Sequence, residues 1–279
     1  MQTASDRSAD APRPVALVTG ASAGIGLAFA RLLAQRGHDL AIVARRRERL
    51  DALAHELASE HGVRVESVAA DLSEPDAPAR VVDATLAAFG RIDVLIANAG
   101  YGPRDGFART PWKEHDRFLR VMLTSYVELA HRALPGMLAR RSGRIVIVSS
   151  MASFAPEQRG SMYTPVKRFL TSWTRALALE LHGTGVTATA SCPGFTFSEF
   201  HDVMGNREHM QKLPRFMWKS AEEVALRSWE AAERGEPVAI IGGVNKTIAA
   251  LCALLPTRAL HAIAPQALRD RGEPEAFVK

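Results

Sequence analysis

Apolar residues in this chain come in short runs, separated by longer stretches in which they recur every three or four positions. The short runs are Val15–Thr19, Leu40–Ala44, Val63–Ala69, Val94–Ala97, Arg144–Val148, Val186–Cys192 and Val238–Ile241; polar residues interrupt Val63–Ala69 and Val186–Cys192, and the rest are nearly solid. Runs of this length are expected of strands, and the solid ones of strands covered on both faces. Between them, Leu27 to Gly37, Glu48 to Ser59, Pro78 to Phe89, a long stretch from about Trp112 to Arg140, and Tyr163 to His182 carry helical spacing. Seven strands alternating with helices predict a single α/β domain on a Rossmann-type, doubly wound, seven-stranded parallel sheet with right-handed crossovers.

Composition narrows the setting. The 279 residues are 47% hydrophobic and 23% charged, enough for one substantial core. Residues 1–14 are polar, contain two prolines and lack an apolar centre, so they are expected to be a flexible leader and not a secretory signal. Residues 15–244 form the expected domain, and 245–279 a C-terminal extension. Two cysteines, Cys192 and Cys252, give neither a disulfide framework nor a metal motif, and the histidines are scattered. A reducing cytoplasm and no metal are therefore expected. Net charge is +5, and the densest basic run, Arg45-Arg46-Arg47-Glu48-Arg49, follows the second strand. No nucleic-acid-binding signature accompanies it, so nucleic acid is not an expected partner and a phosphate of a small molecule is.

Candidate chemistry sits at two places. The turn Thr19-Gly20-Ala21-Ser22-Ala23-Gly24-Ile25-Gly26 joins the first strand to the first helix. Its glycines allow close approach of backbone to a pyrophosphate at a helix N-terminus. Further on, Tyr163 and Lys167 stand four apart, with Ser150 13 residues before the tyrosine. On a helix that spacing puts phenol and ammonium on one face, and a nearby cation is expected to lower the phenol's pKa. Tyr163 could then exchange a proton with a carbonyl or alcohol oxygen to which Ser150 hydrogen-bonds. Ser149 could instead belong to a plain turn; the distance to Tyr163 selects Ser150.

With Asn98-Ala99-Gly100 and Pro193-Gly194 in the same order, these motifs resemble those of the short-chain dehydrogenase/reductase family from about Pro14 to Gly243. The resemblance implies that Ser150 orients the carbonyl, Tyr163 donates the proton, and Lys167 tunes the tyrosine and holds the cofactor's ribose. It implies a dinucleotide lying on Gly20, Ser22, Ala23, Gly24, Ile25 and Gly26. Asp71 and Leu72 would meet the adenine, Asn98, Ala99 and Gly100 the ribose region, and Pro193, Gly194, Thr196 and Ser198 the nicotinamide. The second strand ends at Ala44 and is followed by Arg45 and Arg46, so no acid is there to repel a 2′-phosphate. The cofactor expected is NADP.

Three features depart from the family or extend it. An asparagine that many members carry before the catalytic strand, supporting a water beside the lysine, is replaced in Val121-Met122-Leu123 by Met122. A thioether is only a weak acceptor, so slow proton resupply to Tyr163 is one expectation and simple packing the other. A lid at about 195–218 carries Phe197, Phe200, Met204, Met210, Phe216, Met217 and Trp218, which favours an apolar carbonyl substrate. The extension holds Ile248–Leu255 and Ala259–Ile263 among basic residues. It is too short to span a bilayer and could pack on a subunit, close over substrate or touch a membrane surface, in that order. The expected activity is NADPH-dependent reduction of an apolar ketone, or the reverse alcohol oxidation, in a homo-oligomer, dimer or tetramer. An imine or enone reductase and an idle NADP-binding sensor or scaffold are the alternatives.

Overall fold

The computed structural model describes residues 12–102, 106–155, 161–197 and 215–254. Seven strands, β1 (Val15–Thr19), β2 (Asp39–Ala44), β3 (Val65–Ala69), β4 (Val94–Ala97), β5 (Gly143–Val148), β6 (Val186–Cys192) and β9 (Val238–Ile240), form one sheet. Its order is β3-β2-β1-β4-β5-β6-β9 and every pairing is parallel. A second, two-stranded sheet pairs β7 (Phe195–Thr196) with β8 (Trp218–Lys219).

Alternation along each strand sends side chains to opposite faces, and both faces are apolar. Leu17, Leu95, Ile145 and Ile147 join one core with Val81, Leu129 and Leu170. Ala16, Val18, Ile96, Val146 and Val148 join the other with Phe29, Leu33, Leu50 and Trp229. The first face is covered by α3 (Ala77–Phe89), α5 (Ser125–Ala139) and α6 (Tyr163–Glu180), the second by α1 (Gly24–Gln35), α2 (Arg47–His61) and α7 (Ala221–Glu233). Each fully buried aliphatic or phenyl side chain contributes about 1.5 to 3 kcal/mol, which is what holds the layers together. After β1 the chain builds outward to β2 and β3, then returns to place β4 on the other side of β1. That reversal opens a crevice beyond the C-terminal ends of β1 and β4.

The long helical stretch expected from Trp112 to Arg140 is α4 (Trp112–Leu119), one wide π turn (Arg120–Thr124) and α5. The third strand starts at Val65, two residues later than expected, because it is the sheet's edge and only half covered. A last helix, α8 (Gly243–Leu254), crosses the boundary expected between domain and extension and buries Asn245 and Ala249. Ser198, Phe200, Met204 and Met210 of the expected lid, residues 1–11 of the leader and the extension beyond Leu254 lie outside the described residues. Among the described residues no helix is long and apolar enough to cross a membrane, and no group of three ligating side chains could hold a metal ion.

Candidate active site

The glycine turn is built around Asn98. Gly20 and Gly24 have φ of +68° and +55°, the left-handed region that glycine occupies without strain. A Cβ on Gly20 would lie 2.7 Å from Asn98 Nδ2 and 2.9 Å from Ala99 Cα, and one on Gly26 would strike the carbonyl of Gly20. Thr19, at the end of β1, stitches the two strands together. Its Oγ1 accepts from the amides of Asn98 (2.9 Å) and Ala99 (3.1 Å), while Asn98 Nδ2 donates to its carbonyl at 2.9 Å. Ala23 precedes α1 in extended conformation and supplies no side-chain cap, so the helix's first amides are left to other acceptors. A glycine cradle leading to an uncapped helix N-terminus fits the pyrophosphate of a dinucleotide.

Two arginines flank this cradle. Arg46 Nη2 donates to Ser22 Oγ at 3.1 Å, and Arg45 lies 4.0 Å from Asp71. Both are exposed. Asp71 also accepts from the amide (3.0 Å) and hydroxyl (2.8 Å) of Ser73 and from Arg117 Nη2 at 3.0 Å. Burial alone would raise its carboxyl, but Ser73's donors and the guanidinium groups of Arg117 and Arg45 outweigh that and hold it below the usual carboxylate range. Arg117, on α4, was not foreseen from the sequence; nothing in its spacing marks it, since its partner is 46 residues away. Leu72 buries its side chain in the α3-side core.

The reacting end sits where β5 meets α6. Ser149 and Ser150 point to different tasks. Ser149 Oγ donates to the carbonyl of Lys167 (2.8 Å) and meets Thr171 Oγ1 at 2.7 Å, tying the strand to the helix. Ser150 opens a short 3-10 turn (Met151–Ser153), accepts from the Ala152 amide at 3.1 Å, and favours the ionised form of the Tyr163 phenol. Tyr163 is the first residue of α6, and Lys167, one turn on, is 4% exposed. The lysine's Nζ donates to Val148 O at 2.8 Å and stands 5.7 Å from the ring centre of Tyr163 and 5.4 Å from that of Tyr126.

Burial governs both titrating groups. It pushes Tyr163 up to about 12, against the Ser150 hydrogen bond, which lowers it. It pushes Lys167 down to about 7, against the influence of Cys192. The expectation that the ammonium brings the phenol below its ordinary value is therefore not met by the chain alone: desolvation disfavours the charged form of each and outweighs their proximity. Met151's amide donates to Pro193 O at 2.8 Å, joining this end to the Pro193-Gly194 loop. Thr196 Oγ1 donates back to Gly194 O at 3.2 Å. Gly194 has no room for a Cβ because Asn245 of α8 lies against it, with Nδ2 held by Ile241 O at 2.6 Å. Past the loop, Trp218 stacks on Phe197 at 4.9 Å and tilts against Phe195 at 5.6 Å.

Met122 lies in the π turn, 1% exposed. Its sulfur accepts the Tyr101 amide at 3.2 Å, and a Cβ on Gly100 would come within 2.6 Å of it. The thioether is thus engaged with the Gly100–Tyr101 backbone, which supports the packing expectation over the interrupted water path.

A family model described as short chain dehydrogenase matches residues 14–208. Among similar proteins, a putative ketoacyl reductase of the granaticin polyketide synthase of Streptomyces violaceoruber is 35% identical over 226 residues, covering 79% of each chain. A short-chain dehydrogenase from Sphingobium yanoikuyae, solved in complex with NADPH, superposes with a TM-score of 0.76 at 34% identity, covering 91% of this chain and 97% of that one. The bulky-bulky ketone specific alcohol dehydrogenase from Comamonas testosteroni gives 0.74 at 29% identity, over 92% and 97%.

Proposed function

Because the chain belongs to the short chain dehydrogenase family, we propose that it is an oxidoreductase moving a hydride between NADP and the carbon of an apolar ketone or its secondary alcohol. The observation that carries this is the placing of Tyr163 and Lys167 one helical turn apart, the ammonium 5.7 Å from the phenol's ring centre and the Ser150 hydroxyl acting on that phenol, at the same end of the parallel sheet as the glycine cradle.

When bound, the reduced nicotinamide supplies the hydride. The chain's own residues do the rest. Ser150 donates a hydrogen bond to the carbonyl oxygen, which fixes its position and favours the charge it gains. Tyr163 gives that oxygen its phenolic proton, and the phenolate left behind is favoured by the charged form of Lys167. In alcohol oxidation the same proton returns to Tyr163. Gly20, Ser22, Ala23, Gly24, Ile25 and Gly26 would hold the pyrophosphate, and Asn98, Ala99 and Gly100 the ribose region. Pro193, Gly194 and Thr196 would cover the nicotinamide, with Ser198 beyond the described residues. Selection of NADP rests on Arg45 and Arg46 beside Ser22, with Ala44 in place of an acid, and on the NADPH seen in the Sphingobium relative.

Apolar substrates are supported by the Phe195, Phe197 and Trp218 cluster past the nicotinamide loop, Phe197 being 53% exposed, and by the bulky-bulky ketone named for the Comamonas relative. Exposed Leu138, Phe169 and Leu179 support a homo-oligomer, and the free thiols of Cys192 and Cys252 fit the cytoplasm.

The test is loss of NADPH absorbance with apolar aryl ketones, a keto sugar, an imine and an enone. Turnover is expected with the aryl ketones. Tyr163→Phe should keep its fold and NADPH affinity and lose roughly a factor of 100 to 10,000 in rate. Unimpaired turnover by that variant, or none by the parent with any carbonyl, overturns the proposal.

A further inference from the structure

We infer that Tyr126 is a positioning residue for Lys167: its ring face supports the buried ammonium while its hydroxyl clamps the end of β4. An ammonium taken out of water needs partners to stay charged. Among the described residues Lys167 has no carboxylate partner. What surrounds its Nζ is one backbone carbonyl, Val148 O, and two aromatic rings, those of Tyr126 and Tyr163. The other titratable groups facing it are the phenol of Tyr163 on its own helix and the Cys192 thiol on β6, both of which burial keeps in their neutral forms. The negative potential available to the ammonium therefore comes from a carbonyl dipole and from ring faces.

Of these, only Tyr126 has its ring face free of any task in the sheet or in proton transfer. Tyr163 has to pass a proton, and Val148 belongs to the sheet. Tyr126 is 1% exposed, and its hydroxyl donates to Ala99 O at 3.0 Å, so its ring is pinned both by α5 and by the strand end. Ala99's amide is in turn held by Thr19 Oγ1. The ring thus links the lysine to the residues that shape the glycine cradle. One π turn earlier, Met122 holds the Tyr101 amide. The two side chains fix both flanks of Gly100 from beneath. Without the ring, Lys167 would release its proton at lower pH and give Tyr163 less support at neutral pH.

Only the kinetic consequence rests on the reductase reading; the contact itself does not, so it is read in two ways. The first is the titration of the Lys167 side-chain Cε resonance by NMR, identified by its loss in Lys167→Met. The second is kcat and the KM for NADPH in ketone reduction across pH. Tyr126→Phe should leave the titration and kcat close to those of the parent. Tyr126→Leu should lower the lysine's midpoint by about one pH unit and kcat by roughly 5- to 10-fold, with KM for NADPH nearly unchanged.

A multiply fluorinated phenylalanine at position 126 keeps the ring's shape but removes its negative face, and should shift the midpoint in the same direction as leucine. It also covers the case in which Tyr126→Leu does not fold. An unchanged midpoint with the fluorinated ring overturns the inference, as does Tyr126→Phe falling as far as Tyr126→Leu, which would assign the effect to the hydroxyl clamp. If no carbonyl is turned over by the parent, the proposed function fails while the titration still decides the contact.

Discussion

At the glycine-turn end of the crevice the guanidinium groups of Arg45 and Arg46 stand in solvent, whereas at the reacting end the ammonium of Lys167 is sealed under protein. The rim cations lie near a hydroxyl, Ser22, and a carboxylate, Asp71. Lys167 has a carbonyl and two ring faces. The difference separates two uses of positive charge. A cation in water can select among anions but its contacts are screened; a cation out of water has a movable pKa and can tune a neighbour.

The strongest way to break this contrast is to ask whether Lys167 is as desolvated as the structure makes it. In the unfolded chain a lysine keeps its proton up to 10.5, but in the fold Lys167 keeps it only up to about 7. Between those values unfolding takes up a proton, so stability rises with pH, by up to about 1.4 kcal/mol per unit, and the gain is lost as pH falls toward 7. Tyr163 acts in the opposite sense only above its ordinary 10.0, and Cys192 already above its ordinary 9.0, where the unfolded group ionises before the folded one. Denaturant unfolding of the cofactor-free protein from neutral pH to just below 9.0 should show the slope. Lys167→Met should flatten it; equal slopes in parent and variant would place the lysine in water like the arginines.

The rim is expected to respond less. Arg46→Ala should weaken NADPH binding by about 1 to 2 kcal/mol and leave NADH nearly unaffected, since one charge-assisted hydrogen bond to the 2′-phosphate is removed. Added salt should shrink the difference, as it does for exposed charges. Ala44→Asp in the same background should push preference further toward NADH. Dissociation constants for both cofactors, measured by fluorescence at low and high salt, check this. A loss shared equally by NADH would mean that Arg46 only shapes the turn.

How much of this was legible before the structure follows from where each residue finds its partners. Most of the strands could be read because a parallel strand covered on both faces leaves a solid apolar run; β6 alternates apolar with small polar residues, and β3, at the sheet's edge and half covered, starts two residues later than its pattern predicts. The glycine turn could be read because Gly20 and Gly26 face atoms that admit no Cβ, a demand that any other side chain would violate. Ser150, Tyr163 and Lys167 could be read from spacing because a strand end and one helical turn fix their distances. Arg117, Tyr126 and Asn245 could not. Each acts on a residue remote in sequence, Asp71, Lys167 and Gly194, and their own neighbourhoods look like an ordinary charged helix, a core aromatic and a loop polar residue. The π turn likewise left the helical spacing of apolar positions undisturbed, so α4 and α5 were read as one helix.

Met122 lies between the two regions and carries no charge, so its replacement is expected to have the smallest effect. Its sulfur accepts the Tyr101 amide and its side chain fills the space that Gly100 leaves open. Asparagine there would be one bond shorter in reach and would carry an amide into a site that is 1% exposed, where the Tyr101 amide is the donor that meets the sulfur. The balance of a weak sulfur bond lost, a possible amide bond gained and a polar group buried is expected to cost about 1 kcal/mol. Turnover should stay the same or fall, because the Met122 sulfur is engaged with the Gly100–Tyr101 backbone. Melting temperature, kcat and the solvent isotope effect on kcat should be measured together for parent and Met122→Asn. A faster variant with a smaller isotope effect would show that proton resupply passes position 122 after all, and would extend the wet character of the rim to the residue beneath Gly100.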